Sequence, residues 1–241
     1  MARLARLYAP HTPQLVQAHF AQALANISDP TPVDPLNQLG AWLRECALEH
    51  HVTLHGWALL PDSLTFLATP QQRPGIARLM QAIGRRYATR LKAGRVFQGR
   101  YRSALVQPGN WVLPVLVWLD TLPVQHGLVD LAENWPWSSA AYHTGLNLQA
   151  HTWATDHPDY WELGNTPFDR QARYRALLTK GLSHDQRQQI EKHLFGQWAL
   201  GNELFLSNLA PIASRRIKPA PRGRPRKQPQ SGKALNGPES R

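Results

Sequence analysis

The chain has 241 residues, 42% of them hydrophobic, and a formal net charge of +11, enough for one packed core and an appendage. It contains no run of about 18 apolar residues, no apolar stretch behind its N-terminal arginines and one cysteine, Cys46. These features argue against a transmembrane helix, a secretory signal, an intrachain disulfide and a cysteine-rich metal site, and they predict a cytoplasmic protein.

In chain order, residues 13–20 read as a first strand, and Asp29-Pro-Thr-Pro-Val-Asp-Pro as a loop. Leu36, Leu39, Leu43, Cys46 and Ala47 follow helical spacing, so 36–50 is an amphipathic helix. Val52–Leu60 and Leu64–Thr69 form a hairpin about Pro61-Asp62. A second helix spans Gly75–Lys92, with Ile76, Leu79, Met80, Ile83, Tyr87 and Leu91 as its buried stripe. Tyr101–Val106 is a further strand, and 110–122 an apolar helix interrupted or started by Pro114. This series fits an α+β domain with an antiparallel sheet and helices on one face. Residues 151–210 form a helical appendix, clearest at Phe168–Lys180 and Ser183–Phe195, and Trp153, Trp161, Trp198 and Phe168 are its expected contacts with the core. From 211 to 241 the apolar content collapses, which predicts a disordered basic tail. The domain division is therefore 1–150, 151–210 and 211–241.

The charge is segregated. Nine Lys or Arg and no acid lie between Arg73 and Arg102, nine face only Glu239 between Arg215 and Arg241, and the rest carries −6. Such blocks on a mildly acidic body point to a polyanion partner; charge serving only solubility need not segregate this way.

Four stretches, in order, are similar to the REP-associated tyrosine transposases, a branch of the IS200-like, His-hydrophobe-His superfamily. They are His55-Gly-Trp-Ala-Leu-Leu-Pro-Asp, Arg95-Val-Phe-Gln-Gly-Arg-Tyr-Arg, Leu122-Pro-Val-Gln-His-Gly-Leu-Val and Trp135-Pro-Trp-Ser-Ser. The resemblance covers roughly residues 1–145. It implies a ferredoxin-like sheet and single-strand DNA nicking and joining at hairpin-forming repeats. In that chemistry a tyrosine attacks the phosphodiester, and a divalent metal (Mg or Mn), held by two histidines and a polar side chain, activates the scissile phosphate. Members are monomeric or dimeric, so a homodimer stays open.

Read against that pattern, the catalytic positions are degenerate. His-x-His on one strand aims two imidazoles at one ion because alternate residues share a face. Here Ser63 and Thr65 stand in those places, and neutral hydroxyls are poor substitutes. Asp62, as the neighbour of Ser63, is expected to face the other way. The tyrosine and the asparagine one helical turn later are Trp118 and Leu122; indole has no attacking hydroxyl and leucine no ligand atom, and both suit core packing. Tyr87 and Tyr101 are expected to be structural or base-stacking. His51 and His55, placed on one face of a strand but about 13 Å apart, do not make a metal site. No cofactor is expected.

DNA binding remains. Arg78, Arg85, Arg86, Arg90 and Lys92 are expected to meet phosphates from the second helix, and Arg95, Arg100 and Arg102 to extend the path. Phe97 or Tyr101 are candidates to stack on a base, with core packing the plainer reading. In the tail, Pro221-Arg-Gly-Arg-Pro-Arg-Lys resembles an AT-hook, with Arg222, Arg224, Arg226 and Lys227 for an A·T-rich minor groove. The expected protein binds repeat, hairpin or A·T-rich DNA, is nucleoid-associated and does not enter membranes. The alternatives are an active transposase with displaced ligands and an RNA-binding module.

Overall fold

The computed structural model describes residues 5–24, 33–91, 95–147 and 154–219. Strand β1 (Gln14–His19) leads to helix α1 (Val33–Glu49), then β2 (Val52–Leu59), β3 (Ser63–Pro70), α2 (Gly75–Leu91) and β4 (Arg102–Leu105). The sheet order is β2-β3-β1-β4, and each neighbouring pair is antiparallel. That is the ferredoxin-like arrangement, with two helical crossovers placing the first strand between the third and fourth.

Local chemistry accounts for these elements. The stripe Leu36, Leu39, Leu43, Cys46 and Ala47 is buried along α1. Its start lies ahead of the expected residue 36 because Pro35 fits a first turn, where its missing N–H has no partner to lose. The β2–β3 turn closes with Leu60 N–H donating to Ser63 O at 2.8 Å. Gly75 lets α2 leave the hairpin tightly, since a Cβ there would lie 3.2 Å from both Pro70 Cβ and Val52 Cγ2.

Side-chain alternation assigns the two faces. Phe20, just past β1, stacks on Tyr87 of α2 (ring centroids 5.5 Å apart), so α1 and α2 cover the face carrying Val16 and Phe66. The opposite face carries Gln17, His19, Ser63 and Thr65. Helix α3 (Val112–Asp120) packs over β2 and β3 on that side. A Cβ on Gly56 would approach Leu116 Cδ2 to 2.6 Å, so this glycine is what admits α3. The short α4 (Leu122–Gln125), a 3-10 turn (Ala132–Asn134) and α5 (Ala140–His143) follow.

The remaining helices are α6 (Pro158–Trp161), α7 (Pro167–Lys180), α8 (His184–Gly196) and α9 (Glu203–Leu209). Ser183 and Gln186 form a reciprocal capping box at the start of α8. Helix α8 lies against β4 and β1, on the same face as α3, because Arg102 of β4 sets its guanidinium 4.4 Å from the Phe195 ring centroid. The expected division at 150 is therefore no boundary in the core: Tyr174, Leu178, Ile190 and Leu194 share one cluster with the sheet. Of the aromatic residues expected to make that contact, two are turned to solvent. Phe168 is 80% and Trp161 54% exposed, Trp198 carries the Arg215 guanidinium, and Trp153 lies outside the described residues.

Residues 211–219, expected to belong to a disordered tail, are held by the folded body. Ile217 is buried with Leu7, Ala9, Leu105, Leu206 and Leu209 in a second small core, and Ala199 N–H donates to Ile217 O at 3.1 Å. Ser214 N–H donates to Tyr8 O, and Tyr8 N–H donates back to Ser214 Oγ at 2.9 Å. Residues 211–219 are thus structured by the N-terminal segment, a long-range pairing that composition does not report. The AT-hook-like 221–227 lies outside the described residues.

Candidate nucleic-acid interface

On the α3 side of the sheet, Ser63 and Thr65 are 2% and 0% exposed. Gln17 Nε2 donates to Thr65 Oγ1 at 3.4 Å. Ser63 Oγ donates to Asp62 Oδ1 at 2.9 Å; Asp62 belongs to the turn rather than the strand, so alternation does not govern it and the expected orientation is corrected. Trp118 and Leu122 are 3% and 4% exposed. The indole Nε1 of Trp118 has no hydrogen-bond partner, a desolvation cost of about 1–3 kcal/mol. His19, paired with Ser63 across the ladder, brings an imidazole to this sheet face and was not singled out by its sequence position. Two buried hydroxyls, an indole and an aliphatic chain form a donor set that does not fit a divalent ion.

The other polar cluster is larger and sealed. Asp120, 0% exposed, accepts from His143 Nδ1 at 2.7 Å, Tyr174 OH at 2.6 Å and Ser139 Oγ at 2.5 Å. Three polar side chains thus converge on one carboxyl group. The other nitrogen of His143, Nε2, faces the His55 carbonyl at 3.0 Å. A carbonyl only accepts, so both ring nitrogens carry protons. Burial opposes that charge, but the Asp120 carboxylate outweighs it and His143 stands above its ordinary pKa. His55 is the opposite case. Its Nδ1 donates to Thr155 O at 2.8 Å, its Nε2 accepts from Thr69 Oγ1 at 2.9 Å, and burial lowers its pKa to about 4. It sits at a bulge between Leu54 and Gly56, while His51 lies before the strand at φ 52°, so the two histidines do not share the expected strand face. Ser139, Asp120 and His143 carry the residue types of a nucleophilic triad, but at 0–1% exposure they have no access to a substrate. They tie α3, α5 and α7 to β2.

The open, charged feature is a groove of about 550 Å³ between α2 and the 95–101 segment. Arg6, Arg85, Arg95 and Arg100 line it together with Phe97 and Tyr101, and no acid does. The 95–98 segment is pinned to the end of β1, with Ala21 N–H donating to Val96 O at 2.7 Å and Gln98 N–H to His19 O at 2.9 Å. Gly84 lets α2 approach it, as a Cβ there would lie 3.3 Å from Phe97 Cε2. Phe97 stacks on Phe20 at 5.7 Å. Tyr101 lies under the Arg6 guanidinium, 3.5 Å from ring centroid to Cζ, so one face of its ring is taken. Burial pushes the hydroxyls of both Tyr101 and Tyr87 up to about 12, which makes each a poor nucleophile. Burial, with Tyr101 opposing and Arg100 adding, holds Arg6 below its usual pKa, and its Nε is buried without a partner. A like-charge cluster is relieved by an anion. A second cleft of about 290 Å³, sharing Arg6, Ala77 and Tyr101 with the groove, continues to Arg73.

The basic block thus splits. Arg85, Arg95 and Arg100 meet at the groove, joined by Arg6 from outside the block, while Arg73, counted in the block but not nominated as a contact, lines the adjoining cleft. Arg78 is exposed on α2 outside the groove lining. Arg86 turns to α1, paired with Glu45 and with Glu49 at 3.6 Å, and Arg90 Nη1 donates to Gln38 Oε1 at 3.0 Å. Arg102 points to the opposite face, against Phe195. Lys92, Arg222, Arg224, Arg226 and Lys227 lie outside the described residues. Among the described residues no helix is long and apolar enough to cross a membrane.

Among solved structures the chain is similar to a REP-associated tyrosine transposase bound to a REP hairpin, at 15% identity and a TM-score of 0.52, covering 65% of this chain and 93% of that one. It is also similar to a putative transposase from Deinococcus radiodurans R1, at 19% identity and a TM-score of 0.32, covering 44% of this chain and 88% of that one. No protein-family model and no curated protein matches the chain. The first likeness agrees with the fold described above: an α+β sheet with helices packed on it.

Proposed function

We propose that the protein is a DNA-binding relative of the REP-associated tyrosine transposases that does not nick or join strands. The observation that carries this reading is the acid-free groove lined by Arg6, Arg85, Arg95 and Arg100. Guanidinium groups held on a helix and a pinned segment meet phosphates and give affinity that falls steeply with salt. The solved relative is bound to a REP hairpin, and a hairpin is the first ligand to try here. The motif order at 55–62, 95–102, 122–129 and 135–139 supports the lineage. Loss of nicking is supported by Ser63, Thr65, Trp118 and Leu122 at the positions where the resemblance calls for two imidazoles, a phenol and an amide. Arg222, Arg224, Arg226 and Lys227 add a second cationic arm suited to an A·T-rich minor groove, and the protein's place in the cell is then the nucleoid.

The test is a labelled hairpin, and a duplex of equal length, titrated with the full chain at low salt and then incubated with Mg or Mn. A retarded complex with no protein–DNA adduct on a denaturing gel is expected. A covalent adduct would restore the transposase activity, equal competition by RNA would make the groove an RNA-binding surface, and no retardation of any strand would end the reading.

A further inference from the structure

The cleft of about 290 Å³ beside the groove is built around the start of α2: Arg73, Pro74, Ile76 and Ala77 line it together with Arg6 and Gln14. The helix, 17 residues long, opens without a cap. Its first backbone bond runs from Arg78 N–H to Pro74 O at 2.9 Å, and Gly75 N–H donates to Gln72 O at 3.0 Å. Among the described residues, the N–H groups of Ile76 and Ala77 have no acceptor. A Ser, Thr, Asp or Asn ahead of the helix supplies such an oxygen from its side chain; Pro74, in that place, has none. Gln14, at the start of β1, adds an unmet amide. Alternation puts it with Val16 on the face that α2 covers, and it is 4% exposed. Among the described residues its amide makes no hydrogen bond, yet it is not among the sealed polar atoms, so it opens to the cleft it lines. Arg73 is exposed, and Arg6, held over the Tyr101 ring, stands where cleft and groove meet. Among the described residues no acid lines the cleft.

We propose that this cleft is a binding site for a terminal phosphate monoester. The two guanidinium groups, the open helix start and the Gln14 amide N–H₂ are all donors, and two of them are full cations. The helix start adds the positive end of a macrodipole and is itself suited to an anion. A phosphate monoester answers them with three peripheral acceptor oxygens and a charge of about −1.5 to −2. A carboxylate, or a phosphodiester within a strand, brings fewer free oxygens and a single charge. A neutral ligand leaves the arginines and the helix start unmet. The same monoester is offered by the phosphorylated end of a nucleic-acid strand and by a free mononucleotide. For the strand end, the inference rests on the nucleic-acid reading above; for the mononucleotide it does not.

The test is calorimetric titration of the full chain with thymidine 5′-monophosphate and thymidine, and with one pentanucleotide carrying a 5′-phosphate, a 3′-phosphate or neither. The monophosphate is expected to bind on the order of tenfold or more tightly than thymidine, the worth of one or two charge-assisted hydrogen bonds. A similar gain on phosphorylating the pentanucleotide assigns the strand end as the source; a gain confined to the mononucleotide assigns the free ligand. Gln14→Glu sets a carboxylate where the amide stood and should abolish the phosphate preference, and Gln14→Leu, which keeps the site apolar and uncharged, should reduce it several-fold. Each preference is a ratio of two ligands on one protein, so a loss of folded protein does not mimic the change. Equal binding of monophosphate and nucleoside, no binding of either, or an undiminished preference in a folded Gln14→Leu protein would overturn the site. Uptake of the monophosphate by a protein that retards no strand would end the groove reading and keep this one, and retarded strands with no phosphate preference would do the reverse.

Discussion

Replacing Arg85, Arg95 and Arg100 together by Gln tests whether the groove meets phosphates. The three side chains are exposed, line one groove and have no acid on its walls, so each is positioned for one phosphate. Each such contact contributes about 0.9 to the slope of log K against log salt on duplex DNA and about 0.7 on a single strand. Losing three flattens the slope by about 2.7 or 2.1 respectively. Between 50 and 200 mM salt the wild type should then lose roughly 40-fold more affinity than the variant on duplex, and roughly 20-fold more on a single strand. Fluorescence anisotropy of a labelled hairpin across that range measures both slopes with the full chain, so any contribution from the tail cancels. Arg86→Gln with Arg90→Gln is the control, because those cations face Glu45, Glu49 and Gln38 on α1. Parallel slopes for wild type and triple variant, or equal flattening by the α1-facing pair, would refute the assignment of the groove.

Asp120→Ala strands the His143 imidazolium at 1% exposure together with the Tyr174 and Ser139 hydroxyls; urea unfolding should show a loss of roughly 3–5 kcal/mol. His55 has a folded pKa of about 4, held down by burial, against about 6.5 unfolded. The unfolded chain therefore binds the extra proton between those values, and stability present above pH 6.5 is lost as pH falls toward 4. The loss is worth about 3 kcal/mol at full effect, and the stability gap between wild type and His55→Asn should shrink by that order between pH 7 and pH 4; an unchanged gap contradicts the burial argument. His143 has the opposite sign: its pKa is raised, so its contribution is complete below about 6.5 and declines as pH rises through the folded value, a decline that His143→Gln should abolish in the same assay. Gly56→Ala drives a Cβ to 2.6 Å from Leu116 Cδ2 and 3.1 Å from Ser139 Oγ, and thermal unfolding should report a cost of about 1–3 kcal/mol.

The sheet was readable because its evidence is local. Alternation in β1, the Pro61-Asp62 turn and the apolar stripes of α1 and α2 each lie within one window of sequence. The second layer was not, because its contacts join distant residues. Tyr174 reaches Asp120 across 54 positions, and Ser214 meets Tyr8 across 206. Size misled at Phe168 for a physical reason: it is apolar enough to suggest a core, yet α7 buries Tyr174 and Leu178 instead, since the helical phase, not residue size, decides which side faces inward. Charge counting found the basic segment but not its division. An arginine's partner depends on which helix lies beside it, and the acids that engage Arg86 are on α1, more than 35 positions earlier in the chain.

In the proposed reading, loss of chemistry and retention of binding need not interfere, because the two sites occupy different sides of one sheet. Ser63 and Thr65 lie on the face covered by α3, at 2% and 0% exposure, whereas the arginine groove lies between α2 and the segment entering β4. A metal centre asks for an open, polar sheet face with converging ligands. Packing Trp118 and Leu122 as buried side chains, at 3% and 4% exposure, closes that face and adds apolar contact with no change to Arg85, Arg95 or Arg100. A mutation that restored histidines at 63 and 65 alone would therefore place two imidazoles under α3 without a nucleophile and at a desolvation cost. The double variant Ser63→His, Thr65→His should lose stability in urea and gain no metal-dependent adduct with a labelled hairpin. An adduct from that variant would mean that the nucleophile was never lost, only unrecognised.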